Sequence, residues 1–331
     1  VFRVARPRRF VPLVLLALTV SACGPDLARQ NFPRTTVTEI SVAPGPVDDP
    51  AVRLDALRTV DPCGILRGDT VTGVGTPVPD SMYTDSFDGC SIKVTDAGGK
   101  EARLALTMGD LVDTASPQVG TVDGLPVVEN DLDDKDTPKN EGCVVSALTD
   151  PANRLGIAVQ VSYEGGDACG AGMTVLREVL REVHAGPPQQ RRPANSAVSL
   201  DPCALADDAV LTEVLGRATA KPSSLHDCHW TGGTAYGWLG ISQTYEPSEG
   251  WNGSRITLAG GITAYQKKET KSGNTCTITW THLQIGDLEG ADEGEVVKFQ
   301  YENYHDDAAG DDSCGKARRI VDTILPKLPR A

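Results

Sequence analysis

The chain lacks the short motifs that mark many enzymes. No G-x-S-x-G elbow, no G-x-x-x-x-G-K-[ST] phosphate loop and no H-E-x-x-H occurs, so catalysis of those kinds has no signature here. No two cysteines stand at C-x-x-C spacing, which argues against a thiolate metal site. Neither a metal nor another cofactor is therefore expected. Positive charge is scarce as well: 31 Lys and Arg face 45 Asp and Glu, a formal net charge of −14. Such a chain repels nucleic acid and anionic lipid headgroups, leaving neutral, cationic or apolar partners. No apolar run reaches the roughly 20 residues that a membrane-spanning helix needs.

What stands first is a basic stretch (Arg3, Arg6, Arg8, Arg9), an apolar run from Phe10 to Val20 broken by Pro12 and Thr19, and small residues ahead of Cys23. That order predicts a secretory signal over residues 1–22. Val20-Ser21-Ala22-Cys23 resembles the lipobox of bacterial lipoproteins. The resemblance implies that Cys23 opens the mature chain and carries acyl chains, palmitate among them. Two or three such chains anchor stably where one does not, so the expected place is the outer face of the plasma membrane, held by lipid. The alternative is a cleaved, freely secreted protein. Loss of the four arginines would take the net charge from −14 to −18. Residues 23–55, rich in Pro, Thr and Asp without a sustained period, read as the lipidated N-terminus and a flexible stalk.

Nine cysteines leave eight once Cys23 is set aside: Cys63, Cys90, Cys143, Cys169, then Cys203, Cys228, Cys276, Cys314. An even count in an exported chain reads as disulfides. The two sets sit in matching contexts. Asp61-Pro62-Cys63 mirrors Asp201-Pro202-Cys203, Gly142-Cys143-Val144-Val145 mirrors Thr275-Cys276-Thr277-Ile278, and Asp167-Ala168-Cys169-Gly170 mirrors Asp312-Ser313-Cys314-Gly315. A period this long indicates a duplicated domain rather than a solenoid. The domains are placed at residues 56–185 and 199–329, joined by an extended, solvated linker over 186–198 that contains Gly186-Pro187-Pro188. Four cysteines allow three connectivities. The favoured one is first-to-second and third-to-fourth: Cys63–Cys90, Cys143–Cys169, Cys203–Cys228 and Cys276–Cys314.

Leu155, Ile157, Val159, Val161 and Tyr163 alternate with smaller or polar residues, as do Ala102, Leu104, Leu106 and Met108. In the second set Cys276, Ile278, Trp280 and His282 share one face, and Val297, Phe299 and Tyr301 another. These are antiparallel strands with one face buried. Met173, Leu176, Val179, Leu180 and Val183 recur at helical spacing, and so do Ala317, Ile320, Val321, Ile324 and Leu328. The expected class is α+β: two similar domains, each a short N-terminal helix, an antiparallel sheet of about four to six strands and a C-terminal helix packed on the sheet. With its Asp-Pro-Cys helix start, strand cysteine and Cys-Gly helix start, each copy (59–184 and 199–329) resembles the actinobacterial lipoproteins classed as domain of unknown function 3558. The first copy has Ser91 where the second has His229-Trp230. The resemblance implies an envelope location and a noncatalytic role, without an established ligand.

All four tryptophans and five of the seven tyrosines fall in the second copy. In Tyr236-Gly237-Trp238-Leu239-Gly240-Ile241-Ser242, alternation puts Tyr236, Trp238, Gly240 and Ser242 on one face and Leu239 and Ile241 on the other. If the aliphatic pair is inward, Tyr236 and Trp238 form an exposed platform of the kind that binds a sugar or a peptide. Trp251 is a third candidate for it. The competing reading has loop 247–253, with Trp251, folded over these rings. His226 and His229 flank Cys228 as a weak ligand pair, and the acid clusters 131–136 and 305–312 read as solvated loops rather than calcium sites. The functional expectation is a noncatalytic binding or scaffold module for a cell-wall glycan, a peptide or an envelope protein. The alternative is a cell-wall hydrolase or transferase whose Ser, His and acidic residues converge only in space.

Overall fold

The computed structural model describes residues 47–132, 142–233, 235–270, 273–288, 291–305 and 310–330. The signal segment, Cys23, the stalk up to residue 46, and residues 133–136 and 306–309 of the acid clusters lie outside them. All described residues belong to one compact unit. Its first half runs α1 (Leu54–Leu57), α2 (Pro62–Ile65), α3 (Asp69–Thr72), β1 (Thr76–Pro77), β2 (Tyr83–Thr84), β3 (Gly89–Thr95), β4 (Glu101–Leu111), β5 (Gln118–Val122), β6 (Leu125–Asp131), β7 (Gly142–Asp150), β8 (Leu155–Ser162) and α4 (Ala168–Ala185). The second half runs from a 3-10 turn (Pro202–Ala204) through α5 (Asp208–Leu215), β9 (Thr219–Pro222), β10 (Asp227–Thr231), β11 (Tyr236–Tyr245), β12 (Ser254–Thr257), β13 (Thr263–Glu269), β14 (Asn274–Leu288) and β15 (Ala291–Asn303) to α6 (Ser313–Ile324).

The strands form two antiparallel sheets, and helices are few. The first sheet has eight strands in the order β1-β3-β4-β8-β7-β6-β5, with β2 on β3; the second has seven, β12-β13-β14-β15-β11-β10-β9. Taken from its other edge, the second order is β9-β10-β11-β15-β14-β13-β12, which repeats the connections of the first. Both sheets exceed the four to six strands expected, because two- to five-residue pieces such as β1, β2, β5, β9 and β12 extend the edges.

Each core follows from alternation. In β4 Ala102, Leu104, Leu106 and Met108 are buried, and in β8 Leu155, Ile157, Val159 and Val161 are. Val175, Leu176, Val179, Leu180 and Val183 of α4 fall in the same apolar cluster as Val145 and Val159. Gly172 permits this approach, since a Cβ there would meet Val145 Cγ2 at 2.9 Å. Asp167 caps α4, accepting from Gly170 N at 2.8 Å, and Asp312 caps α6, accepting from Gly315 N at 3.0 Å. Ala317, Ile320, Val321 and Ile324 of α6 cluster with Ile278 and Phe299. Disulfides join Cys63 to Cys90, Cys143 to Cys169, Cys203 to Cys228 and Cys276 to Cys314. In each half one ties the opening helical turn to a strand and the other ties a strand to the closing helix. Loops of 25 to 38 residues contribute about 3–4 kcal/mol each in the chain-entropy account.

Two segments depart from the sequence expectation. The stalk was to reach residue 55, yet Val52 is 1% exposed and belongs to the first core, where burying an isopropyl group outweighs the polar composition around it. The 186–198 segment is not solvated throughout, for Ser196, Ala197 and Val198 are buried. Glu295, itself fully buried, accepts from the Ala197 amide at 2.8 Å and from the Ser196 hydroxyl at 2.5 Å. Gln190 Nε2 donates to the carbonyls of Val60 and Phe87 at 3.0 and 2.7 Å. The halves also exchange side chains. Phe87, three residues before Cys90, belongs to the second core, and Leu225, three residues before Cys228, belongs to the first.

Candidate functional site

Strand β11 is flanked by β10 and β15, and the register sets His229 beside Trp238 and Trp238 beside Gln300. One row over, Thr231, Tyr236 and Glu302 align. On the far side of the tryptophan the row is Asp227, Gly240 and Lys298. The alternate residues Leu239, Ile241, Phe299 and Tyr301 are buried, so period-2 geometry turns the first set to the opposite face of the sheet. The result is a shallow depression of about 280 Å³ lined by His229, Tyr236, Gly237, Trp238, Lys298, Gln300 and Glu302.

Trp238 is half-buried and Tyr236 is 43% exposed. The indole lies against Gly240: a Cβ at that position would fall 2.6 Å from two of its ring carbons and 2.5 Å from Asp227 Oδ1. Lys298 Nζ stands 5.2 Å from the indole centroid and the His229 ring 6.4 Å from it. Tyr304 extends the row, its ring 6.1 Å from Tyr236. Its hydroxyl donates to Glu302 Oε2 at 2.5 Å, and this bond pushes its pKa up to about 12. Gln300 Nε2 donates to the other oxygen of Glu302. Burial holds the His229 imidazole below its ordinary pKa, against the opposing pull of Glu302. The depression therefore offers a ring face, one cation, one carboxylate and an amide, a set suited to binding a polar ligand with a flat apolar side.

The sequence-derived candidates are only partly brought together. Tyr236 and Trp238 line the depression. Trp251 does not: it is 84% exposed and lies beyond the far end of β11, seven residues past Trp238 at Tyr245, or about 23 Å along an extended strand. The loop that carries it thus does not roof the two rings. His229, read from the sequence only as one of a weak ligand pair, also lines it, while Lys298, Gln300, Glu302 and Tyr304 were not singled out from the sequence. Their signal was the alternation opposite Val297, Phe299 and Tyr301, but which strand would neighbour β11 was not encoded locally.

The other candidates have structural employment. His226 is 2% exposed; its Nε2 donates to the Val198 carbonyl at 2.7 Å and its Nδ1 meets Asp88 Oδ1 at 2.6 Å, so neither nitrogen is open to a metal. Not singled out from the sequence, Ser313 and Lys316 stand at S-x-x-K spacing; Ser313 is fully buried and donates to Asn274 Oδ1 at 2.9 Å, while Lys316 pairs with Asp311 at 2.6 Å. Among the described residues Glu129, Cys143 and Cys169 have ligand atoms within 4.8 Å of one another, but both sulfurs are spent in a disulfide. Of the acid clusters, Asp312 is the α6 cap and Asp311 accepts from Tyr301 Oη at 2.7 Å. No family model, no curated protein and no solved structure matches this chain.

Proposed function

We propose that this chain is a lipid-anchored envelope lipoprotein with two copies of the four-cysteine domain of family 3558, and that it serves as a noncatalytic binding module. Its ligand is a wall glycan or peptide, or an envelope protein presenting such a surface. One observation carries the reading: Trp238 stands half open on the outer face of β11, seated over Gly240 and ringed by His229, Lys298, Gln300 and Glu302. A sugar ring or peptide side chain stacks on such an indole while its polar groups meet the amide and carboxylate. Glycoside hydrolysis uses two carboxylates, and among the described residues Glu302 is the one acidic residue that lines the depression, which favours holding over cleaving.

The test is retention of the chain on purified cell wall and on its soluble glycan and peptide fragments. Trp238→Ala is expected to weaken retention at least tenfold, about 1.4 kcal/mol. Gly240→Ala should do nearly as much, because the new methyl displaces the indole. Unchanged retention in both variants sinks the proposal.

A further inference from the structure

A second concavity, of about 780 Å³, lies between α2, the β2–β3 turn and residues 188–192, and three arginines line it: Arg67, Arg191 and Arg192. Among the described residues one carboxylate, Asp61, lines it with them, leaving a formal excess of two positive charges there in a chain whose net charge is −14. Among the described residues Arg67 and Arg191 have no ion-pair partner, and both are exposed. Arg192 is half-buried and fixed by neutral groups. Its Nε donates to Gln190 Oε1 at 3.2 Å, its Nη2 donates to Gln243 Oε1, and its guanidinium lies 5.1 Å from the centroid of the Phe87 ring. Gln190 is itself held by two backbone carbonyls, so the cation is positioned without being neutralised at contact range. Burial lowers its pKa, with Glu295, Glu293 and Asp61 opposing from farther away.

A concave wall of one charge sign focuses potential, and guanidinium forks bind phosphate oxygens in pairs. We propose that this cleft is an anion site for a phosphate-bearing ligand, anchored by Arg192 and completed by Arg67 and Arg191 at its rim. A singly charged carboxylate would saturate one fork; a phosphate monoester uses several and matches the double excess of charge. The site is separate from the Trp238 depression and stands or falls independently of it. It also qualifies the expectation from net charge, because the cleft is locally positive within an acidic chain.

The experiment is calorimetric titration of the full-length chain with inorganic phosphate, against chloride at equal ionic strength. Saturable binding is expected for phosphate alone, weakened at least tenfold in the R67A/R191A double variant. Both side chains are exposed, so the fold should survive; Arg192→Gln provides a second variant in which the anchor keeps hydrogen-bonding capacity but loses its charge. Flotation with phosphatidylglycerol against phosphatidylcholine vesicles separates the sources: indifference to both assigns the phosphate to a soluble or wall-borne ligand, and arginine-dependent capture by phosphatidylglycerol assigns it to a headgroup. Heats no greater than with chloride, or an R67A/R191A protein that binds as wild type does, overturn the proposal.

Discussion

Burial raises the Asp227 carboxyl to about 6, with the nearby Asp88 charge adding to the effect and the Ser224 hydroxyl, His226 and Lys298 opposing it. The sign of the consequence follows from proton uptake. Between its ordinary 3.8 and about 6 the folded chain holds a proton that the unfolded chain has released, so stability falls as pH rises through this window. Asp227→Asn, which keeps an acceptor for Ser224, should therefore stabilise the protein at pH 7.5 by up to about 3 kcal/mol and make no difference at a pH well below 3.8, as read by thermal melts across that range. A constant offset at both pH values would show that charge burial is not the cause. The same residue scale shows how far the site could be read in advance. Tyr236 and Trp238 were visible because the aliphatic pair Leu239 and Ile241 fixed which way β11 faces. Lys298, Gln300 and Glu302 were not, because they arrive on a strand some 60 residues later, and pairing across that distance leaves no local mark.

Elements with their own periodicity were legible, and those held by a neighbour were not. The alternation in residues 155–161 and the helical spacing in 173–183 mark β8 and α4. By contrast β1, β2 and β12 are two to four residues long, too short to carry a pattern, and form by pairing with strands already in place. The segment 47–52 is a similar case, since its composition is that of a stalk while its position is set by contacts made elsewhere. His184, near the end of α4, reaches it: Nε2 meets Asp49 Oδ2 at 2.8 Å, Nδ1 donates to the Leu180 carbonyl at 2.8 Å, and Asp123 lies 3.8 Å away. The bond to Asp49 raises the His184 pKa and lowers that of Asp49. The His184 contribution is complete below its ordinary 6.5 and is lost as pH climbs through the raised value; the Asp49 contribution is lost as pH falls through its lowered value. Amide exchange in residues 49–53, corrected for intrinsic rate, should accelerate on the alkaline side of 6.5 in wild type and be insensitive to pH there in His184→Ala.

Across the whole molecule, Phe87 and Leu225 each complete a core to which their own sheet does not belong. Between them His226 meets Asp88, and Arg58 Nε donates to the Leu225 carbonyl at 3.0 Å. Leu225→Ala should cost about 2–5 kcal/mol, and the loss should appear as faster amide exchange in β4 and α4 of the first half. Loosening confined to β10 and β11 would show that the exchange does not couple the halves. The shared strand order has another consequence. Ser91 pairs with Ala105 one residue past Cys90, just as His229 pairs with Trp238 one residue past Cys228, and a glutamine, Gln160 or Gln300, comes next in each sheet. The first sheet thus repeats the strand pairing of the second with Ser91 and Ala105 where the second has His229 and Trp238, and its exposed ring stands one strand further out, on Tyr83, which pairs with Ser91 and lies 5.2 Å from the Arg103 guanidinium: one scaffold carries its aromatic and its cation on different strands in the two halves.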